Sequence, residues 1–101
     1  MNITITARKF KARDTLKDYI NAEVSSLKKY YDDILSADVV LSFQNTKDSI
    51  KISEITLHVP GQTFVATEHS DEFEKSVNAS VEKLSRQLKK LKTKRTAVRQ
   101  R

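Results

Sequence analysis

Apolar residues recur along this chain with two spacings, at every second position in some stretches and at every third or fourth in others. Ile3 and Ile5 alternate with polar neighbours, which predicts a half-buried strand at the start of the chain. A basic loop over residues 8–13 follows. A helix is then predicted with Asp14 as its N-cap and its end near residues 32–33. Its apolar stripe consists of Leu16, Ile20, Val24, Leu27 and Tyr31.

Three more strands are predicted in the middle of the chain. Their inward positions are Val39, Leu41, Phe43, Ile55, Leu57, Val59, Phe64 and Ala66. A hairpin loop over residues 45–49 joins the second strand to the third. Because Ile50 and Ile52 are out of phase with the rest of the third strand, a bulge or a frayed start is predicted near Ser53. The Pro-Gly pair at residues 60–61 suits the centre of a type II turn before the fourth strand.

A second helix is predicted after the fourth strand. Its apolar stripe consists of Phe73, Val77, Val81, Leu84, Leu88 and Leu91. Asp71 and Glu74 have the spacing of a capping box, with Ser70 as the alternative N-cap. Since each helix has one apolar stripe and each strand one apolar face, the predicted fold is α+β. The order is β-α-β-β-β-α, with a four-stranded sheet, two helices packed on one face, a polar face opposite, and a right-handed crossover between the first two strands.

Charge is distributed unevenly along the 101 residues, whose net charge is +6. Residues 83–101 hold nine Lys or Arg and no acidic residue, so the rest of the chain has a net charge of −3. This asymmetry points to a polyanionic partner. We expect one domain over residues 1–95 and a disordered basic tail over residues 96–101. No apolar run approaches the roughly 18 residues of a membrane span, so we expect a cytoplasmic protein without membrane contact.

Basic residues flank the apolar stripe of the second helix. One flank holds Lys83, Arg86, Lys90 and Lys94, with Gln87 at its edge, and the other holds Lys75, Lys89 and Lys92. A solvated amphipathic surface is the plain explanation for such a pattern. The length of the uninterrupted basic stretch, against an acidic remainder, favours nucleic-acid binding instead.

Candidate chemistry elsewhere in the sequence is sparse. There is no Cys, and His58 and His69 stand apart, so no metal or other cofactor is predicted. Gly61 is the single glycine, which excludes a glycine-rich phosphate loop and the loop of a KH domain. The inward phase of Phe43 and Phe64 excludes an RNA-recognition motif. No nucleophile elbow is present. We predict a non-enzymatic protein that contacts phosphates and shape more than base edges.

The second helix also carries a specific motif, Lys83-Leu84-x-Arg86-Gln87-Leu88-x-Lys90-x-Lys92. Weaker motifs precede it in the order Asn2-Ile3-Thr4, Leu27-x-x-Tyr30 and Thr56-Leu57-His58-Val59. Over nearly its whole length the chain resembles the short ribosome hibernation-promoting factors, also called protein Y or ribosome-associated translation inhibitors. The pattern Lys-Leu-x-Arg-Gln-Leu-x-Lys in their last helix is the most specific part of the resemblance.

The resemblance implies a translation inhibitor of stress and stationary phase that binds the small ribosomal subunit, in the channel for messenger RNA and tRNA, and acts by steric occlusion. The contacts with ribosomal RNA that it implies are Lys83, Arg86, Gln87, Lys90 and Lys92. Lys94 extends this set along the helix, and Arg8, Lys9, Lys28 and Lys29 are added from charge and placement. Because the chain ends soon after its second helix, ribosome dimerisation would need a second factor. The free protein is expected to be a monomer.

The sequence departs from the family pattern at two places in or near the second helix. Asp71-Glu72-Phe73 stands where the family has Asp-Met-Tyr, and Ser76-Val77-Asn78 stands where it has Ala-Ile-Asp. Contacts made by that tyrosine and aspartate therefore do not carry over. Two other classes stay open: a general double-stranded-RNA-binding domain without ribosome preference, and an interaction module whose basic helix docks on an acidic protein.

Overall fold

The computed structural model describes residues 1–44 and 49–99, and the side chains of those up to residue 93. The elements are β1 (Asn2–Ala7), α1 (Asp14–Ser25), a 3₁₀ segment (Ser26–Lys29), β2 (Ser36–Gln44), β3 (Ile50–Val59), β4 (Gln62–Ser70) and α2 (Phe73–Arg99). This order confirms the predicted α+β fold. The predicted hairpin loop lies, apart from Ser49, outside the described residues. Helical backbone reaches Arg99, past the expected domain boundary at residue 95; the division into a domain and a tail stays a prediction.

The sheet has the strand order β1-β2-β3-β4. β1 pairs parallel to β2, so α1 forms a crossover between them, as predicted. β2, β3 and β4 pair antiparallel with one another. The tight turn between β3 and β4 contains Gly61 at φ +81, the left-handed conformation that the third residue of a type II turn requires. The predicted Pro-Gly turn is therefore confirmed.

The core lies between one face of this sheet and the two helices. Ala37, Val39, Leu41, Ile55, Leu57, Val59 and Ala66 supply the sheet side, and Ile20, Val24, Leu27, Val77, Val81, Leu84 and Leu88 supply the helical side. Their alternation in the strands and helical spacing in α1 and α2 account for why the chain folds in this way. The predicted inward positions are buried or, at Phe43 and Phe64, partly buried. Both helices pack on one face, as predicted.

The predicted bulge near Ser53 is wrong, because the pairing of β2 with β3 is unbroken from Ser36–His58 to Gln44–Ile50. Ser53 is an inward residue of a regular strand and is fully buried. Its hydroxyl lies 2.7 Å from that of Ser76 in α2. A buried hydroxyl is tolerated here because it finds a hydrogen-bond partner. Ile50 and Ile52 belong to the opposite, open face of the sheet.

The predicted helix boundaries need correction at three ends. Asp14 is the first residue of α1 rather than its cap, because Arg13 occupies the cap position in extended conformation. Regular α-helix ends at Ser25, and the 3₁₀ segment continues only to Lys29. The Ser26 hydroxyl donates to the Glu23 carbonyl at 2.6 Å, a local bond that competes with helix continuation.

α2 begins at Phe73, so neither Asp71 nor Ser70 occupies its N-cap as predicted. Asp71 instead lies 3.2 Å from the ammonium group of Lys75 and accepts a hydrogen bond from the Ser70 hydroxyl at 3.1 Å. The bond from Lys75, more than that from Ser70, lowers the pKa of the Asp71 carboxyl. The Asp71 carboxylate therefore accepts from the side chain of Lys75, and not from a backbone N–H of the first turn as in a capping box.

Candidate nucleic-acid interface

The outward face of α2 presents a row of cations above a buried apolar stripe. Leu84 and Leu88 are completely buried against the sheet. The exposed cations on either side of these leucines are Lys83, Arg86, Lys89, Lys90 and Lys92. We call these five residues the basic face. Since its two buried leucines anchor the helix to the sheet, these charges are displayed on a rigid element.

Lys83, at one edge of the basic face, is paired within the chain. Its ammonium group lies 3.6 Å from a carboxylate oxygen of Glu68, on the adjacent strand β4. About half of the Lys83 side chain is exposed, so this is a solvent-screened pair of small net energy. A phosphate could replace Glu68 as the partner of this ammonium group at little cost in free energy. The pair nevertheless lowers the local positive charge, which the sequence pattern of α2 alone did not reveal.

Gln87 lies beside the basic face in a shallow groove between α2 and β4. The groove has a volume of about 270 Å³ and is lined by Gln62, Phe64, Gln87, Lys90 and Leu91. Within the described residues the buried side-chain oxygen of Gln87 has no hydrogen-bond partner. The predicted site residues Gln87 and Lys90 thus lie side by side, with the amide half-buried and the cation exposed.

Tyr30 joins the end of the first helical region to the basic face. Its ring lies 4.8 Å from the ammonium group of Lys89 and 5.2 Å from that of Lys29. Both distances permit cation–π attraction. The fold thereby brings Lys29 next to α2, and Lys28 precedes it in the same 3₁₀ segment. Lys89 and Tyr30 were missing from the predicted site, because nothing in the sequence shows that two residues so far apart meet.

Arg8 and Lys9 are not brought to the basic face. They precede Phe10, whose ring stacks on that of Phe73 with the centroids 5.1 Å apart. From Phe73 to Lys90 a helix rises by about 25 Å. The basic loop therefore lies at the opposite end of the packed part of α2. The side chain of Lys94, the last predicted site residue, lies outside the described residues.

The two departures from the family pattern have structural roles. Phe73, in place of a tyrosine, stacks on Phe10. Asn78, in place of an aspartate, donates a hydrogen bond of 2.8 Å to the Glu23 carboxylate, which also accepts one of 3.0 Å from the Tyr19 hydroxyl. Burial, and then the bond to Glu23, raises the pKa of Tyr19. Phe73 and Asn78 therefore both take part in contacts between α2 and the rest of the fold.

Other candidate chemistry is weaker on this structure. On the open sheet face, His58 lies 3.0 Å from the Asp38 carboxylate. No group of three or more potential metal ligands occurs among the described residues. None of the helices in the described part of the chain is long and apolar enough to cross a membrane. The basic face, with Lys28, Lys29 and Tyr30 beside it, is the strongest candidate for a binding surface.

A sheet carrying two helices on one face and cations on the outer side of the longer helix defines a class of small α+β proteins with a surface suited to polyanions. The chain belongs to the family described as Sigma 54 modulation protein / S30EA ribosomal protein, whose model matches residues 3–96. Members are ribosome hibernation factors, which are not enzymes, so the predicted family and the predicted lack of catalytic activity are confirmed. The membership supports a ribosome-associated role.

Known proteins resemble this chain in sequence and in fold. A ribosome hibernation promoting factor of Azotobacter vinelandii is 32% identical over 94 residues, covering 93% of this chain and 85% of its own length. The N-terminal domain of Thermus thermophilus Protein Y matches with a TM-score of 0.81 and 27% identity, covering 90% of this chain and 99% of that one. A ribosomal subunit interface protein from Coxiella burnetii shares the fold, with a TM-score of 0.83 and 24% identity over 92% and 99% of the chains.

Proposed function

We propose that this chain is a ribosome hibernation factor that binds the small ribosomal subunit in the channel for messenger RNA and tRNA and inhibits translation by occupying it. The observation that carries the proposal is the basic face, in which exposed cations lie directly above two completely buried leucines. Together with the family membership, this surface supports ribosomal RNA as the polyanion. The rRNA contacts in this proposal are the predicted residues of α2 with Lys28 and Lys29, and Lys89 is added.

A helix fixed to a sheet suits this task physically. The phosphate contacts require no ordering of the helix on binding, because packing has already ordered it. Electrostatic attraction to phosphates depends little on base sequence, so it fits a site on folded RNA recognised mainly by shape. Inhibition then needs no chemistry, since the folded protein and the translating ligands exclude each other. Its expected location is the cytoplasm, and the free protein is proposed to be a monomer.

Co-sedimentation with purified ribosomes, in the presence of excess duplex RNA, tests the binding site. Arg86→Glu should reduce binding at least tenfold, because it places a negative charge on the basic face. Lys75→Glu is the matched control: it makes the same charge change on an exposed position of α2, about 16 Å along the helix from Arg86. Equal losses for the two variants, or none for Arg86→Glu, would remove the basic face from the mechanism.

The competitor separates the remaining candidate functions. Retention on the small subunit in excess duplex RNA supports the ribosomal site, and displacement of a labelled messenger RNA from the subunit then tests occlusion. Removal from ribosomes by arbitrary duplex RNA would instead identify a general double-stranded-RNA-binding domain. Absence of binding to any RNA would leave an interaction module for an acidic protein. Ribosome dimers that form only when another protein is added would show that dimerisation needs a second factor.

A further inference from the structure

A second groove lies at the other end of α2, outside the proposed rRNA contacts of that helix. It has a volume of about 410 Å³ and its apolar lining is Phe10, Ala12, Leu16 and Phe73. Phe10 stacks on Phe73 with an angle of 15° between the rings, and meets Phe43 edge to face at 5.7 Å. Phe10 and Phe73 are only partly buried. The rings of Phe10 and Phe73 thus line a surface groove instead of being enclosed in the core, and Phe43 supports Phe10 from the side.

Cations surround these rings. Lys11, Arg13 and Lys51 line the groove, against one carboxylate, Glu74. The ammonium group of Lys51 lies 5.8 Å from the Phe43 ring centroid. In the described part of the chain neither Lys11 nor Arg13 takes part in an ion pair. The groove therefore combines an aromatic floor with excess positive charge.

The backbone that presents Phe10 is itself unusual. Lys9 has φ +64, in the left-handed region that non-glycine residues rarely adopt. This conformation has a cost that the surrounding structure must offset. It sets the ring of the next residue, Phe10, against Phe73 at the groove. The loop between β1 and α1 is thus held in a conformation that contributes the aromatic floor.

We propose that this groove binds one unstacked nucleobase of single-stranded RNA, with the flanking phosphates on Lys11 and Arg13. A planar base can extend the ring stack of Phe10 and Phe73, and stacking tolerates any base because every base has a π-face. An aliphatic ligand would contact the rings but not the cations, and a purely acidic ligand would bind the cations but not the rings. Occupancy of the groove does not depend on the occlusion mechanism, since its residues lie apart from the basic face.

Titration of a short single-stranded oligoribonucleotide into the isotope-labelled protein, followed by amide chemical shifts, tests the proposal. Shifts are expected at residues 10–13 and at Lys51, in the native chain and also in a variant with Lys83, Arg86 and Lys90 all changed to Glu. An abasic strand of equal charge should bind the groove at least fivefold more weakly. Equal binding by the abasic strand, or shifts confined to the basic face, would overturn the proposal without affecting the proposed function.

Two variants keep the test sharp. Phe10→Leu retains an apolar side chain but removes the aromatic face, and stacking contributions predict a loss of about 5- to 150-fold in oligonucleotide affinity. Arg13 is exposed, so Arg13→Gln should leave folding unchanged while it weakens binding of the oligonucleotide. If Arg13→Gln has no effect, the phosphate contact is wrong. Saturation by a free mononucleotide at the same concentration would assign the groove to nucleotides instead of RNA, and response only to an acidic aromatic peptide would assign it to a protein partner.

Discussion

Ser53, Ser76 and Ser80 form a small polar contact inside the interface between β3 and α2. The Ser53 hydroxyl lies 2.7 Å from that of Ser76, and the Ser80 hydroxyl donates to the Ser53 carbonyl at 3.3 Å. All three residues are completely buried. Small side chains let the helix lie close to the strand, and mutual hydrogen bonds avoid the penalty of burying unpaired hydroxyls. These residues therefore fix how α2 lies on the sheet.

We expect Ser53→Ala and Ser76→Ala to be coupled. Each single change should lower the free energy of unfolding by about 1–3 kcal/mol, because it leaves a buried hydroxyl with one partner fewer. The double variant should lose less than the sum, since it leaves no orphan of that pair. Urea unfolding of the four proteins measures the coupling. Strictly additive losses would show that the two hydroxyls do not act as a pair.

Leu84 and Lys83 are neighbours on α2 with different roles. Leu84→Ala should lower the free energy of unfolding by about 2–5 kcal/mol, because it opens a cavity in the core. Lys83→Ala, at an exposed position, should change it by less than about 0.5 kcal/mol. Ribosome affinity per folded molecule should follow the opposite order. A stability loss from Lys83→Ala as large as that from Leu84→Ala would contradict this division of roles.

At the scale of elements, α1 and α2 are joined by polar contacts as well as by core packing. Glu23 of α1 accepts hydrogen bonds from Tyr19 on its own helix and from Asn78 on α2. At this contact the residue on α2 must be a hydrogen-bond donor, because the ionised carboxylate of Glu23 can only accept. The amide at position 78 therefore fits its present neighbour, and an aspartate there would need a different one.

Asn78→Asp should destabilise the fold in a pH-dependent way. At pH 7 it exchanges a hydrogen bond for repulsion between two carboxylates, with an expected loss of about 1 kcal/mol. Repulsion raises the pKa of one carboxyl in the folded state, so the penalty is present above that pKa and fades as the pH falls below it. Unfolding at pH 7 and pH 4 measures the difference. Adding Glu23→Gln to the Asn78→Asp variant should restore stability, and an equal loss at both pH values would exclude repulsion.

At the scale of the whole molecule, the sequence predicts what depends on local spacing. Alternation at Ile55 and Leu57 defines a strand face, and the spacing of Leu84 and Leu88 defines a helix stripe, because burial imposes those periods. The bulge near Ser53 was wrongly predicted because Ile50 and Ile52 are apolar residues of the open face, whereas the inward position beside them holds a buried serine. Helix ends were missed because capping depends on the actual dihedral angles and hydrogen bonds.

The candidate site shows the same division. The cations of α2 could be assigned from helical spacing, since they belong to one element. The contact of Tyr30 with Lys89, the pairing of Lys83 with Glu68, and the stacking of Phe10 on Phe73 each join distant parts of the chain. These contacts depend on how α2 packs across the sheet, and the local spacing of residues does not predict that packing. The position of the basic loop at the far end of α2 likewise emerges only when Phe10 is placed against Phe73.

The salt dependence of ribosome binding tests the molecule as a unit. Each phosphate neutralised by a cation contributes about 0.9 to the slope of log affinity against log salt on duplex-like RNA. Contacts by Lys83, Arg86, Lys89 and Lys90 should therefore give a slope of about −3.6 or steeper. Arg86→Gln should reduce the magnitude of this slope by about 0.9, the contribution of one contact. Lys75→Gln should leave the slope unchanged. A slope near zero would mean that apolar burial, and not the basic face, supplies the affinity, because only released counterions make binding depend on salt in this way.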